Sequence, residues 1–229
     1  MAEYRFSFSY SRWSLWSKCP AAYKYQNIDK VPVETSPALI KGRKVHNEIA
    51  KYLMGAADDM PASLKHFTNT GAQLREARAA APKTVHVELQ YAVDRDIRPV
   101  TWFSKNAWCR MAWDVLVETT PQTVDAVDWK TGKPYASYED QKQLFALGAF
   151  WRNPSLETFT GHWLYLDHPD EPPHTATFDR DQAVRLTEVW KGNAAIMEAD
   201  RVFPAKPSES ACRFCDFSWR KNGPCKEGV

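Results

Sequence analysis

No stretch of the 229-residue sequence approaches the roughly 20 consecutive apolar residues that span a bilayer, and the opening Met1-Ala-Glu-Tyr-Arg-Phe lacks the apolar run of a secretory signal. No membrane partner is therefore expected, and a cytoplasmic location is. No Gly-x-x-x-x-Gly-Lys-Ser/Thr segment is present, which excludes an encoded P-loop motor. Repeats, low-complexity tracts and linker-like stretches are missing, and glycine is scarce, nine against fifteen prolines. An ordinary folded body with well-defined loops is expected, not an array or a disordered chain. Charge of either sign is nearly balanced at net +2, so only local clusters, not the total, can mark an anionic partner.

What is present suffices for one large core: 44% of residues are apolar and 13% aromatic. Ser9 or Ser11 can cap a helix carrying Trp13, Trp16 and Tyr23, broken or offset by Pro20. A second helix is predicted from about Ala38 to Met54, with Val45, Ile49, Tyr52 and Leu53 at helical spacing and His46 on it. Helix formers at 72–80 stop at Pro82, and Val85–Val93 reads as a strand bearing Glu88. Strands Ala107–Glu118 and Thr123–Lys130 flank a Thr119–Gln122 turn, a β-hairpin. A helix Tyr138–Trp151, a strand Thr158–Leu166 and a helix from about Asp179 to Ala199 follow, the last with Ala183, Leu186, Val189, Trp190 and Ile196 as its apolar side. This order predicts an α/β (α+β) fold with a central mixed β-sheet flanked by helices.

The chemistry begins at Asp128-Trp129-Lys130. Side chains two apart on a strand share a face, so Asp128 and Lys130 are presented together. Alone, that pattern is expected about once by chance in a chain of this length. The hairpin strengthens it, because paired residues there have numbers summing to about 241 or 242, which sets Asp114 opposite or beside Asp128. Two ionised carboxylates so close repel, and a hard divalent cation such as Mg²⁺ or Mn²⁺ removes the repulsion. Such an ion activates water and offsets charge on a phosphate, while Lys130 stabilises that charge or orients the nucleophile.

Cysteines without a secretory signal are read first as metal or redox chemistry. Cys212 and Cys215 form a Cys-x-x-Cys pair, and Cys225 and Cys19 complete a four-thiolate set that fits either Zn²⁺ or an iron–sulfur cluster. Cys109, in an apolar strand, reads as a buried thiol. Lys18, Lys24, Arg213, Arg220, Lys221 and Lys226 lie around these cysteines in sequence and can line a DNA path, with Trp13, Trp16 or Trp219 available to stack on bases.

These motifs, in this order, resemble the PD-(D/E)XK nuclease superfamily, specifically its RecB-like branch that includes Cas4. Ser9-Tyr-Ser11 to Trp16-Ser-Lys-Cys19-Pro20 with Tyr23-Lys24-Tyr25 is similar to the family's opening helix, and Gly42-Arg-Lys-Val-His46 to its histidine motif. Asp114, Asp128-Trp-Lys130 and a glutamine helix follow. The resemblance implies a restriction-endonuclease-like core in a single domain spanning 1–229, with the catalytic part at about 38–200 and cluster-binding elements at about 9–30 and 203–229. It implies that His46, Asp114, Asp128 and the Trp129 carbonyl bind catalytic metal, that Lys130 is the essential lysine, and that Glu88 supports the site. It favours a [4Fe–4S] cluster over Zn²⁺ at Cys19, Cys212, Cys215 and Cys225. The implied activity is exonucleolytic cleavage of single-stranded DNA or DNA ends, with a helicase, recombination or CRISPR-adaptation partner. The chain departs from the family at three points. Met111 stands where relatives carry a glycine, nine residues separate Cys215 from Cys225, and the helix after the lysine lacks Gln-x-x-x-Tyr. For the glutamine, Gln143 is favoured and Gln141 is the alternative; the tyrosine role is unassigned, with Tyr138 a candidate.

Overall fold

The computed structural model describes residues 5–133 and 138–229. Their contacts group into two compact units, one of Ser36–Thr187 and one made of the two ends of the chain, up to Thr35 and from Glu188 onward. In chain order the helices are α1 (Tyr10–Lys18), α2 (Pro20–Asn27), α3 (Pro37–Leu53), α4 (Thr68–Ala80), α5 (Tyr138–Arg152), α6 (Arg180–Ala199) and α7 (Glu209–Arg213). The strands are β1 (Val85–Val93), β2 (Pro99–Val100), β3 (Cys109–Thr120), β4 (Thr123–Lys130), β5 (Thr158–Tyr165) and β6 (His174–Asp179).

The strands form one six-stranded mixed sheet, β2-β1-β3-β4-β5-β6. Neighbours are antiparallel except β4 and β5, and these two are joined through α5, the long crossover a parallel pair requires. This is the expected α/β architecture. The β3–β4 turn is tighter than predicted, since both strands run up to Pro121-Gln122. Sequence periodicity missed β2 and β6, which are short and mostly solvent-facing.

Local signals account for the element ends. The Ser36 hydroxyl accepts from the Leu39 N–H at 3.3 Å and Pro37 opens α3, a capped start whose fixed φ suits a first turn. Ser9 likewise caps α1, and Pro20 begins α2, so the chain breaks at Cys19 between two helices.

Two apolar layers sandwich the sheet. On one face Ile49, Tyr52 and Leu53 of α3 pack against Val85, Val115, Val127, Trp129, Leu164 and Leu166. On the other, Phe145 of α5 lies 6.1 Å from Trp113 and 6.3 Å from Trp163, ring centre to ring centre. The helix comes this close because position 148 is glycine: a Cβ there would overlap the Met111 sulfur and stand 2.8 Å from Trp113. Met111 therefore fills space that Gly148 leaves open.

Strand alternation breaks at one place. Met111 and Trp113 face α5, whereas Val115 and Val117, also odd-numbered, face α3. β1 does the same, with Val85 and Val87 toward α3 and Tyr91 against Trp113. A regular strand would keep all of these on one side. The switch in β1 falls around Glu88, whose φ of 52° is left-handed and unusual for a non-glycine residue.

In α6 the predicted apolar side needs correction. Val189 and Ile196 are 53% and 62% exposed, whereas Ala183, Trp190, Ala194 and Met197 are buried. Steps of seven, four and three residues keep that buried set on one stripe, and Val189 and Ile196 share a different side.

In the unit formed by the chain ends, Trp13 meets Trp190 edge-on at 5.3 Å, and Trp16 Nε1 donates to Asp200 Oδ2 at 2.9 Å. Both indoles thus pack within this unit while staying partly exposed. No helix among the described residues is long and apolar enough to cross a membrane.

Candidate active site

The β1–β3 pairs on either side of Glu88, Val87↔Val115 and Leu89↔Trp113, place Glu88 across from Asp114. The β3–β4 register, Val115↔Val127 and onward, places Asp114 across from Asp128, within the range anticipated from the hairpin. Three acids thus line up across three neighbouring strands, where the two strand-face switches occur. Asp114 Oδ2 accepts from the Trp129 backbone N–H at 2.8 Å, so a carboxylate takes the place of a strand carbonyl beyond Val115–Val127. From α3, His46 Nδ1 lies 3.1 Å from Asp114 Oδ1. Among the described residues, His46, Glu88 and Asp114 are the group of possible metal ligands whose donor atoms all lie within 4.8 Å of one another. Asp128 stands outside that trio: its Oδ2 is 2.5 Å from Lys130 Nζ.

Electrostatics follow from this crowding. Burial disfavours the His46 imidazolium, but its hydrogen bond to Asp114 and the charges of Asp114, Asp128 and Glu88 prevail and lift its pKa to about 9. Glu88 opens to solvent on the cleft side, yet partial burial and the Asp114 charge push it up to about 7, with His46 pulling the other way. Burial holds the Asp128 carboxyl above the ordinary carboxylate range despite Lys130. Burial works against the Lys130 ammonium too, but Asp128 overcomes it and raises its pKa. With Glu88, Asp114 and Asp128 all ionised and His46 neutral, the site carries more negative charge than Lys130 neutralises, the condition a cation relieves.

Lys130 is held on three sides. Besides Asp128, Gln141 Oε1 accepts from Nζ at 2.8 Å and the Tyr138 ring centre lies 4.7 Å away. Gln141 also donates through Nε2 to Asp128 Oδ1 at 3.3 Å. The glutamine that links the acid and the lysine is therefore Gln141, not the favoured Gln143. Residues two apart on a helix point about 200° away from each other, so one helix cannot turn both toward β4. Tyr138, three residues before Gln141, is the tyrosine at the lysine. Trp129, whose carbonyl was expected at the metal, buries its side chain under α3.

α3 passes close to Thr131 at Gly42, where a Cβ would stand 3.3 Å from Thr131 Oγ1 and require a small shift. An open cleft of about 570 Å³ runs along this helix, bordered by His46, Glu88 and Thr131.

In the unit of the chain ends, Cys19, Cys212, Cys215 and Cys225 line one small cavity of about 40 Å³. The long gap before Cys225 folds into a tight loop. Cys225 N–H donates to Phe217 O at 2.9 Å and Trp219 N–H to Cys225 O at 3.1 Å. Gly223 is needed in this loop, since a Cβ would collide with the Phe217 backbone. The loop returns Cys225 to the Cys-x-x-Cys pair, so the nine inserted residues do not separate the thiols. The Lys206 N–H points to Cys19 Sγ at 3.5 Å. Burial pushes the Cys215 thiol up, and the other three sulfurs push it further. Cys109 is buried in β3, and burial drives its thiol far above its usual range.

The expected DNA-contacting cations divide into two kinds. Lys24 and Lys221 are ion-paired with Asp29 at 2.6 Å and Asp216 at 2.8 Å, while Arg213 and Arg220 lie over the exposed rings of Phe214 and Trp219.

The sequence profile of the PD-(D/E)XK nuclease superfamily matches residues 7–220. No curated protein matches the chain. Among solved structures, SSO0001 is similar with a TM-score of 0.42 and 14% identity over 100% of this chain and 90% of that one. An alkaline exonuclease from Laribacter hongkongensis gives 0.34 and 13%, over 84% and 88%.

Proposed function

This chain belongs to the PD-(D/E)XK nuclease superfamily, and from that premise we propose that it is a Cas4-like, Mg²⁺- or Mn²⁺-dependent deoxyribonuclease, an exonuclease acting on single-stranded DNA or DNA ends. The observation that carries the reading is the meeting of His46, Glu88 and Asp114, with donor atoms within 4.8 Å, in the same strand row as Asp128 and its Lys130 partner.

Two hard carboxylates and an imidazole suit Mg²⁺ or Mn²⁺. In this reading His46, Glu88 and Asp114 hold the ion, and Asp128 and the Trp129 carbonyl adjoin it. Bound there, the ion supplies an activated water and charge compensation for the scissile phosphate. His46 must give up its proton to act as a ligand. Lys130 keeps its proton and donates to a phosphate oxygen as charge builds during in-line attack. Gln141 and Tyr138 fix the Lys130 ammonium, and Gln141 keeps Asp128 in line with it. In this reading a helicase, recombination or CRISPR-adaptation partner supplies any unwinding.

The four cysteines are assigned a [4Fe–4S] cluster with a structural role. The support is that all four thiols line one cavity, a four-cysteine set that suits either such a cluster or Zn²⁺, with the family resemblance favouring the cluster. Iron and sulfide in protein purified without oxygen support this assignment; a colourless, zinc-loaded protein overturns it.

The deciding assay is degradation of end-labelled single-stranded DNA with Mn²⁺ by wild type and Lys130→Ala. Loss in the variant and in EDTA is expected, and equal activity in both proteins refutes the catalytic assignment. Blocked 5′ or 3′ ends and circular single strands then separate polarity and exonuclease from endonuclease action.

A further inference from the structure

The cleft beside the metal ligands is walled by one face of α3, on which Leu39, Arg43 and Asn47 recur one turn apart, with Met54 at the helix's C-cap. Its other border is Glu88 and Thr131. At about 570 Å³ it lies within the range of roughly 300–1,000 Å³ typical of small-molecule sites. The neighbouring cations of α3 are spoken for: Lys41 pairs with Asp167 at 2.7 Å and Lys44 with Glu48 at 3.8 Å. Arg43 is exposed and makes neither hydrogen bond nor ion pair among the described residues. A helix rises about 1.5 Å per residue, so Arg43 stands roughly 4.5 Å along the axis from His46. Leu39, 48% exposed, comes one turn further. An uncommitted guanidinium followed by an apolar surface, leading away from a metal centre, matches a phosphate followed by a base.

We propose that this cleft is the subsite for the nucleotide adjoining the scissile phosphate, with Arg43 clamping that nucleotide's own phosphate and Leu39 covering its base. The proposal rests on the nuclease reading but adds a contact that reading does not supply. A guanidinium–phosphate contact is charge-assisted and sequence-independent. It therefore acts on substrate binding, at one phosphate.

The test uses the full-length protein and fluorescent oligothymidylates carrying a single neutral methylphosphonate linkage, moved one position at a time. Binding is followed by anisotropy in EDTA and cleavage with Mn²⁺. Wild type is expected to lose roughly tenfold in affinity at one linkage next to the cut. Arg43→Ala should lose about as much on the unmodified strand, show no further loss at that linkage, and have a shallower salt dependence by about one phosphate. Its KM should rise far more than its kcat falls, and Arg43→Lys should recover part of the loss. Arg43→Ala binding like wild type, or the linkage penalty surviving in the variant, overturns the subsite. A wild type that binds with the Arg43-dependent linkage effect but does not cut refutes the nuclease reading alone, and one that neither binds nor cuts refutes both.

Discussion

Replacing Gln141 with leucine removes a side chain that touches both Asp128 and Lys130, and its cost can be worked out from the contacts. Gln141 is 8% exposed, so water does not take over its role. Its Oε1 accepts from the Lys130 ammonium at 2.8 Å and its Nε2 donates to Asp128 at 3.3 Å. Hydrogen bonds to charged groups contribute about 1.5–3 kcal/mol. Lys130 keeps Asp128 at 2.5 Å and the Tyr138 ring, so it remains charged but loses its sideways restraint. Loss of one such contact at the transition state lowers kcat by about 10- to 100-fold, at roughly 1.4 kcal/mol per tenfold. KM should change little, because Gln141 is buried and its two bonds go to Lys130 and Asp128. Folding stability should drop by about 1–3 kcal/mol for the unsatisfied ammonium, read as a shift in urea midpoint. Gln143→Leu, on another side of α5, should lower kcat far less than Gln141→Leu does. Steady-state kinetics on single-stranded DNA with Mn²⁺ decide it. A larger kcat loss in Gln143→Leu, or full activity in a folded Gln141→Leu protein, refutes the assignment.

The metal-free site should respond to pH in a definite direction. His46 is raised from 6.5 to about 9, so its stabilising contribution is complete below pH 6.5 and lost as pH rises through 9. Glu88, raised from 4.5 to about 7, acts the same way at lower pH, its ionised form being the less stable one when folded. Metal needs both groups deprotonated, so Mn²⁺ affinity by calorimetry should rise over the window in which the metal-free Tm falls, and His46→Gln should flatten the upper part of both curves. A flat affinity profile would count against the His46 ligand role. Gly148→Ala should cost about 1–3 kcal/mol by overpacking against Met111 and Trp113, with partial rescue by Met111→Ala in a double-mutant cycle; additivity of the two losses would refute that packing account. Cys212→Ser should lose bound iron on anaerobic purification while Cys109→Ala keeps it, since Cys109 lies in β3 and does not line the cavity; iron loss in Cys109→Ala would break the assignment.

Local chemistry was enough to locate most of the fold. β1 and β4 have the bounds that alternation predicts, and α3, α5 and the hairpin differ only at their ends, because turn residues and apolar period act over a few residues and survive in the folded chain. The hairpin arithmetic also set Asp114 beside Asp128 before any tertiary contact was known. Where a rule depends on which side of an element meets which partner, sequence fell short. Val189 and Ile196 look like core residues of α6 and face solvent. β6 shows no apolar pattern because only Phe178 in it is buried.

The opened centre of the sheet is the clearest case of tertiary control. Strand alternation alone would keep Met111, Trp113, Val115 and Val117 on one face, yet β1 and β3 both change sides around Glu88 and Asp114. A left-handed backbone at Glu88 costs free energy that only surrounding packing can offset, so no local preference foretells it. That change of face is what turns a row of alternating side chains into a group of acids meeting His46. The sequence by itself determined which residue types were available, their order, and the pairing of Asp114 with Asp128. Tertiary packing decided that Gln141 and not Gln143 reaches Lys130, that Glu88 joins His46 and Asp114, and that Cys225 rejoins the other three cysteines. Each of those outcomes depends on the rotation of a helix or the closure of a loop against its neighbours, which interactions between distant residues fix.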